Sequence, residues 1–128
     1  MKFMKLQNLY LLNAALALIF SLGLLFMTPT MLTLFGFNDT AGTRLLAQFI
    51  GVELAVGGMV TLLARDVADP KTRSAINYSN LIACVLGFVI ALNGTLTGVM
   101  NALGYLPVVI YAVLALGFGY FQFFRQAG

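Results

Sequence analysis

One carboxylate in this sequence stands where a carboxylate is costly. Glu53 falls near the middle of residues 45–64, LLAQFIGVELAVGGMVTLLA, an otherwise apolar run. A run of about 20 apolar residues is the length at which a helix crosses the roughly 30 Å hydrocarbon core of a bilayer. At 1.5 Å per residue, Glu53 is about 16 Å from the C-terminal end of that run, near the midplane. An ionised group there costs at least ~2.5 kcal/mol, so Glu53 either carries a proton or is met by a partner. The chemistry open to it is the binding of a proton, a cation, or a polar group of a ligand or partner. The alternative is structural: a protonated Glu53 hydrogen-bonded to Tyr111 or to a backbone carbonyl. Depth arithmetic along antiparallel spans brings Tyr111 on the fourth and Cys84 on the third near it, and no Lys or Arg of this chain reaches that level. Glu53, Tyr111 and Cys84 therefore form the candidate intramembrane polar site.

Little else in the chain can do chemistry. There is no histidine, which removes bis-His haem and the commonest zinc and iron sites. A single cysteine, Cys84, allows no intrachain disulfide and no CxxC pair, and it reads as a small packing residue. No nucleophile–base pair, metal cluster or phosphate loop is present, so we expect no enzymatic activity and no cofactor or metal. With 61% hydrophobic and 9% charged residues and a mean hydropathy of +0.97, the sequence lies outside the range of soluble domains. The net charge of +3 comes from seven Lys and Arg at segment ends, which fits membrane orientation and not nucleic-acid binding.

These residues must be positioned by membrane-spanning helices. Apolar periods place four spans at about 9–27, 45–64, 75–97 and 105–124, and 1–128 reads as a single integral membrane domain. The fold class is all-α, a four-transmembrane-helix antiparallel bundle with a short interfacial helix between spans 1 and 2. The first run follows Lys2 and Lys5 and is too long for a signal-peptide core, so it reads as an uncleaved span. In TPTMLTLFG, Thr28 is the expected N-cap, Pro29 the first helical residue and Gly36 the stop. Met31, Leu32, Leu34 and Phe35 then share a face that would lie in the headgroup region. Asn38 or Asp39 would cap the second span, and Asp69 with Pro70 would start the third. Tyr105, Tyr120, Phe121, Phe123 and Phe124 suit interfacial anchoring.

Helices in lipid associate where small residues let backbones approach. Small and weakly polar positions at alternating spacings of three and four give a seam on each span. They are Ala14, Ala17, Ser21 and, after Leu24, Thr28 on the first, and Gln48, Gly51, Ala55 and Gly58 on the second. The third carries Asn77, Asn80, Cys84, Gly87, Ala91, Gly94 and Gly98, and Asn77, Asn80 and Asn93 read as interhelical glue. The fourth carries Ala112, Ala115, Gly119 and Gln122. A period of 3.5 implies left-handed packing near 20°. Glu53 lies off its seam, on a bulky face with Leu46, Phe49, Ile50, Val56, Gly57 and Val60 that would meet another span or another protein chain.

Six of the seven basic residues fall at the N-terminus, the second loop and the C-terminus, so both termini are expected in the cytoplasm of a bacterial inner membrane. The basic start, MLTLFGF after Pro29, TRLLAQFIGVELAVGGMVTLLARD, and DPKTRSAI at the third span together resemble small four-span bacterial membrane proteins of the DoxX-like families. The resemblance covers most of the chain and carries no catalytic signature. Small multidrug transporters share the size and a single membrane glutamate, but theirs is in the first span. The leading functional expectation is a non-catalytic accessory subunit of a homo-oligomer or larger membrane complex. Its rival is a small proton- or cation-coupled transporter or permeation protein using Glu53.

Overall fold

The computed structural model describes residues 5–124, and Lys2 and the C-terminal Arg125 of the charge count lie outside them. Five α-helices follow in order: α1 Leu6–Phe26, α2 Thr28–Leu34, α3 Ala41–Leu63, α4 Pro70–Leu96 and α5 Tyr105–Phe123, with one 3-10 turn, Ala102–Gly104, before α5. No strand occurs among the described residues. α1, α3, α4 and α5, the last with its leading turn, are long and apolar enough to cross a bilayer, so this is a multi-pass helical membrane protein.

The start signals differ from expectation in three places. Met27, not Thr28, caps α2, because Thr28 turns back and donates its hydroxyl to the Leu24 carbonyl at 2.5 Å. Pro29 thus sits at the second helical position. α3 is capped by Thr40, whose side chain accepts from the Thr43 amide at 3.1 Å while Thr43 returns a bond to the Thr40 amide at 2.9 Å. Asp39 is instead engaged by the Arg44 guanidinium, with Nη2 to Oδ2 at 2.6 Å. That reciprocal box starts α3 four residues before the apolar run at 45. α4 begins as the motif implies, Asp69 accepting from the Thr72 amide at 2.9 Å with Pro70 first in the helix. Its polar first turn belongs to the helix, so α4 starts before the apolar stretch at 75, and α1 likewise starts at Leu6.

Helix packing is pairwise and antiparallel. α1 packs along α3, α4 along α5, and the two pairs meet chiefly through α1 and α5. The glycines mark the closest approaches. Gly51 and Gly58 of α3 lie under Leu24–Leu25 and Ala17–Leu18 of α1, Gly87 of α4 lies under the Tyr111 ring, and Gly117 of α5 lies under Leu9. A Cβ at any of these four positions would come within 2.9 Å of a neighbour, which is why glycine occupies them.

α2 packs back against α1. Only the residue Met27 separates it from α1, so the chain folds back sharply; Leu32 is buried and Met31 packs against Gly23. Phe35, just after the helix, faces Phe20 with ring centroids 6.4 Å apart. Of the four apolar residues assigned to the lipid face, only Leu34 is exposed.

The two ends of the bundle are built differently. At the end holding the start of α1 and the finish of α5, Leu6, Leu9, Tyr10, Leu114, Phe118 and Phe121 form the buried core together with Cys84. Polar side chains stitch this end across helices. The Tyr10 hydroxyl donates to Asn77 Oδ1 at 2.7 Å, Asn13 Nδ2 to Thr61 Oγ1 at 3.0 Å, and Gln122 Nε2 to Ser74 Oγ at 2.8 Å. Gln7 reaches Asp66 in the α3–α4 loop. The opposite end is closed only by α2 and the α4–α5 loop. There the Asn101 amide donates to the Phe35 carbonyl at 3.0 Å and its side chain to the Leu34 carbonyl at 2.8 Å.

Candidate functional site

Between the dense end and the Asn101 clasp lies a cavity of about 510 Å³. α1 lines it with Asn13, Leu16, Ala17 and Phe20, and α3 with Ile50, Glu53, Leu54 and Gly57. α4 adds Asn80, Ala83 and Cys84, and α5 adds Pro107, Ile110, Tyr111 and Leu114. Met31, Phe35 and Phe37 with Met100 cover it from the clasp side. The three residues expected to share one level, Glu53, Tyr111 and Cys84, all line this space.

The cavity exists because α3 and α4 barely touch. Each packs on its own partner, α1 or α5, and the pairs join on the far side, so a gap is left where a four-cornered bundle would close. Glu53 and Ala83, on the two sides of that gap, are both exposed and both line the cavity. Glu53 is therefore at the lip and not sealed against another span. The bulky neighbours Leu46, Phe49, Ile50, Val56 and Val60 on its helix face are exposed as well.

The structural alternative for Glu53 required a hydrogen bond to Tyr111 or to a carbonyl. Among the described residues, the Glu53 carboxylate has no hydrogen-bond or ion-pair partner, and the Tyr111 hydroxyl has none either. The asparagines are half-committed. The Thr61 hydroxyl faces the Gly57 and Gly58 carbonyls, both at 3.2 Å, so it gives its proton to α3 and receives from Asn13 Nδ2. Asn80 Nδ2 donates at 2.9 Å to the Ile76 carbonyl of its own helix. In both residues the neighbour fixes the amide orientation and leaves Oδ1 as the atom without a donor among the described residues. The polar inventory of the cavity is thus one carboxylate, two amides, a phenol and the Cys84 thiol. No Lys or Arg lines it.

The remaining seam residues distribute unevenly. Gly51, Gly58, Asn77, Cys84, Ala91 and Gln122 are buried, while Ala55, Asn80, Ala112, Ala115 and Gly119 are half-buried. Gln48 and Asn93 are exposed, and the buried positions of α3 are Ala47, Gly51, Gly58 and Thr61. Gly94 has only the Met100 Cε, 3.5 Å from where its Cβ would be, so it is no close approach. Gly98 lies beyond α4 with open space around it. Phe121, expected as an interfacial anchor, is instead 1% exposed because it fills the core beside Leu9 and Phe118, and sequence reasoning missed Asn13, Leu9, Phe118 and the notch at Gly117. A search for small residues passes over a contact made by aromatics filling against Leu and Tyr. The signal available for Asn13 was its own presence, a polar amide inside an apolar run.

Outside the spans, the Arg44 guanidinium beside Asp39 holds its carboxyl below the usual carboxylate range, and the Thr72 hydroxyl and amide do the same for Asp69. Among the described residues, no three His, Cys, Asp or Glu side chains converge as a metal site.

Comparison with protein-family models, with curated proteins and with solved structures finds no match. Nothing in those comparisons bears on the DoxX-like resemblance.

Proposed function

We propose that this chain is a small non-catalytic carrier or permeation protein that takes a molecule into the cavity and uses Glu53 as its proton- or cation-binding group. The observation that carries this reading is the cavity itself. About 510 Å³ lined mostly by apolar side chains with a few polar groups falls in the range of small-molecule sites, roughly 300–1,000 Å³. Its single carboxylate has no partner among the described residues, and a carboxylate left unsatisfied at membrane depth is a site by default. The accessory-subunit reading is the weaker one, since lipid can cover the exposed α3 face as well as a protein can.

Charge supplies the orientation that belongs to this proposal. Lys5, Arg65, Lys71 and Arg73 cluster at the stitched end of the bundle, while Arg44, nearer the clasp, is neutralised by Asp39. The stitched end then faces the cytoplasm of a bacterial inner membrane, the clasp faces outward, and Lys2 and Arg125 add to the same bias. A cysteine placed at Lys71 should be labelled only from the cytoplasmic side, and labelling from outside would invert the topology.

The functional test uses purified protein reconstituted alone in liposomes with a trapped pH dye. Gradients of small solutes are imposed, and proton movement above that of empty vesicles is the expected signal. Glu53→Gln should abolish it, because only the acid exchanges a charge. A chain that is silent alone and copurifies with a fixed partner would return the subunit reading to first place.

A further inference from the structure

The cavity holds one charged group, Glu53, among neutral polar atoms. Glu53 offers two carboxylate oxygens, Asn13 and Asn80 each retain an Oδ1, and each of these atoms accepts hydrogen bonds without a donor among the described residues. The Tyr111 hydroxyl can act as acceptor too. The donors there are all neutral, the second N–H of each amide, the Tyr111 hydroxyl and the Cys84 thiol, and no basic side chain lines the cavity. A single negative charge in an otherwise neutral, mostly apolar space selects a guest by what the guest must bring, namely positive charge with N–H donors on an apolar body.

The route is marked by the same geometry. Both ends of the cavity are closed, one by the core around Tyr10 and Phe118, the other by α2 and the Asn101 clasp, whereas the gap between α3 and α4 opens sideways at membrane depth. Glu53 stands near the centre of α3, at the edge of that gap. A guest arriving there comes from the hydrocarbon and meets the carboxylate first.

We infer that the cavity binds lipophilic ammonium compounds, molecules with an apolar body and one protonated amine, which enter from the bilayer between α3 and α4 and place the ammonium against Glu53. This rests on the carrier reading above and names its substrate class. The ammonium group donates to the carboxylate and, once inside, to the Oδ1 atoms of Asn13 and Asn80. The body fills space lined by Leu16, Ile110 and Leu114.

The test compares three molecules with one body: 1-naphthylmethylammonium, the neutral 1-naphthylmethanol and the anionic 1-naphthoate. Saturable binding to the full chain in lipid nanodiscs is measured against empty nanodiscs, by naphthalene fluorescence and by equilibrium dialysis. The ammonium compound should bind at least about tenfold more tightly than the alcohol, and naphthoate should not bind. Glu53→Gln should bring the ammonium compound down to the alcohol's level and leave the alcohol unchanged. Equal binding of ammonium and alcohol by both proteins would overturn the charge selection while leaving the cavity reading intact. Naphthoate as the tightest ligand would overturn it outright, and no saturable binding of any of the three would overturn both readings. The chain has no tryptophan, so Ala83→Trp at the exposed gap gives a single reporter. Brominated lipid should quench its emission and bound ammonium compound should change that quenching; an unquenched Trp would overturn entry from the bilayer.

Discussion

Gly87 and Gly94 occupy the same face of α4 two turns apart, yet alanine should stabilise only at Gly94. Replacing an interior helical glycine by alanine gains about 0.8–1.0 kcal/mol of helix propensity at either site. At Gly94 nothing opposes the gain, because the new Cβ meets only the Met100 Cε at an ordinary 3.5 Å. At Gly87 the Cβ falls 2.7 Å from two Tyr111 ring atoms, so the ring must yield by about 0.7 Å to restore a normal contact of 3.4 Å. A rigid aromatic makes that shift by leaving its rotamer or parting α4 from α5, at an overpacking cost of about 1–3 kcal/mol. Gly94→Ala is therefore expected to stabilise by up to about 1 kcal/mol, and Gly87→Ala to range from neutral to about 2 kcal/mol destabilising. The assay is equilibrium unfolding by SDS titration in mixed micelles, followed by helical circular dichroism. Tyr111 also lines the cavity, so Gly87→Ala should weaken naphthylmethylammonium binding where Gly94→Ala does not. Equal changes in stability at the two glycines would refute the close α4–α5 approach on which this reasoning stands.

Tyr10→Phe should cost about 1–2 kcal/mol, because Asn77, 3% exposed, loses the one donor its Oδ1 has among the described residues. Adding Asn77→Leu should recover part of that cost in the same unfolding assay. Gly36 and Gly98 both hold positive φ, +86° and +82°, so alanine at each should cost about 1–2 kcal/mol of backbone strain. Gly36→Ala should cost more, since its Cβ would also press on Asn101 at 3.2 Å while Gly98 has open space. The Asp69 carboxyl is held below its ordinary value of 3.8, so the stability it contributes is complete above that value and is lost as pH falls through the depressed one. Melting temperature should accordingly drop in acid below about pH 3.8, and Asp69→Asn should flatten part of that slope. Glu53→Gln should leave stability within about 0.5 kcal/mol of the parent, because the carboxylate has no partner to lose; Glu53→Leu should be at least as stable. A loss of about 2 kcal/mol in the glutamine variant would expose a hidden structural bond.

What the sequence determined alone is whatever periodicity and composition encode locally. Spans of bilayer length, the Asp69–Pro70 start of α4 and the stop at Gly36 follow from apolar runs and from groups a few residues apart. The 1.5 Å rise of antiparallel helices led to the expectation that Glu53, Tyr111 and Cys84 share a level, and all three line the one cavity. Capping by Thr40 over Asp39 was decided by two competing acceptors. The Arg44 guanidinium engages one of them, and that outcome depends on side-chain reach more than on residue type. The tertiary structure alone decided which spans adjoin. Small-residue seams say that a helix can be approached closely and not by which neighbour, so pairing of α1 with α3 and of α4 with α5 was not legible in them. From that pairing follow the gap between α3 and α4, the cavity behind it and the position of Glu53 at its lip, because a void is fixed by where four helices fail to meet and no single segment carries that information.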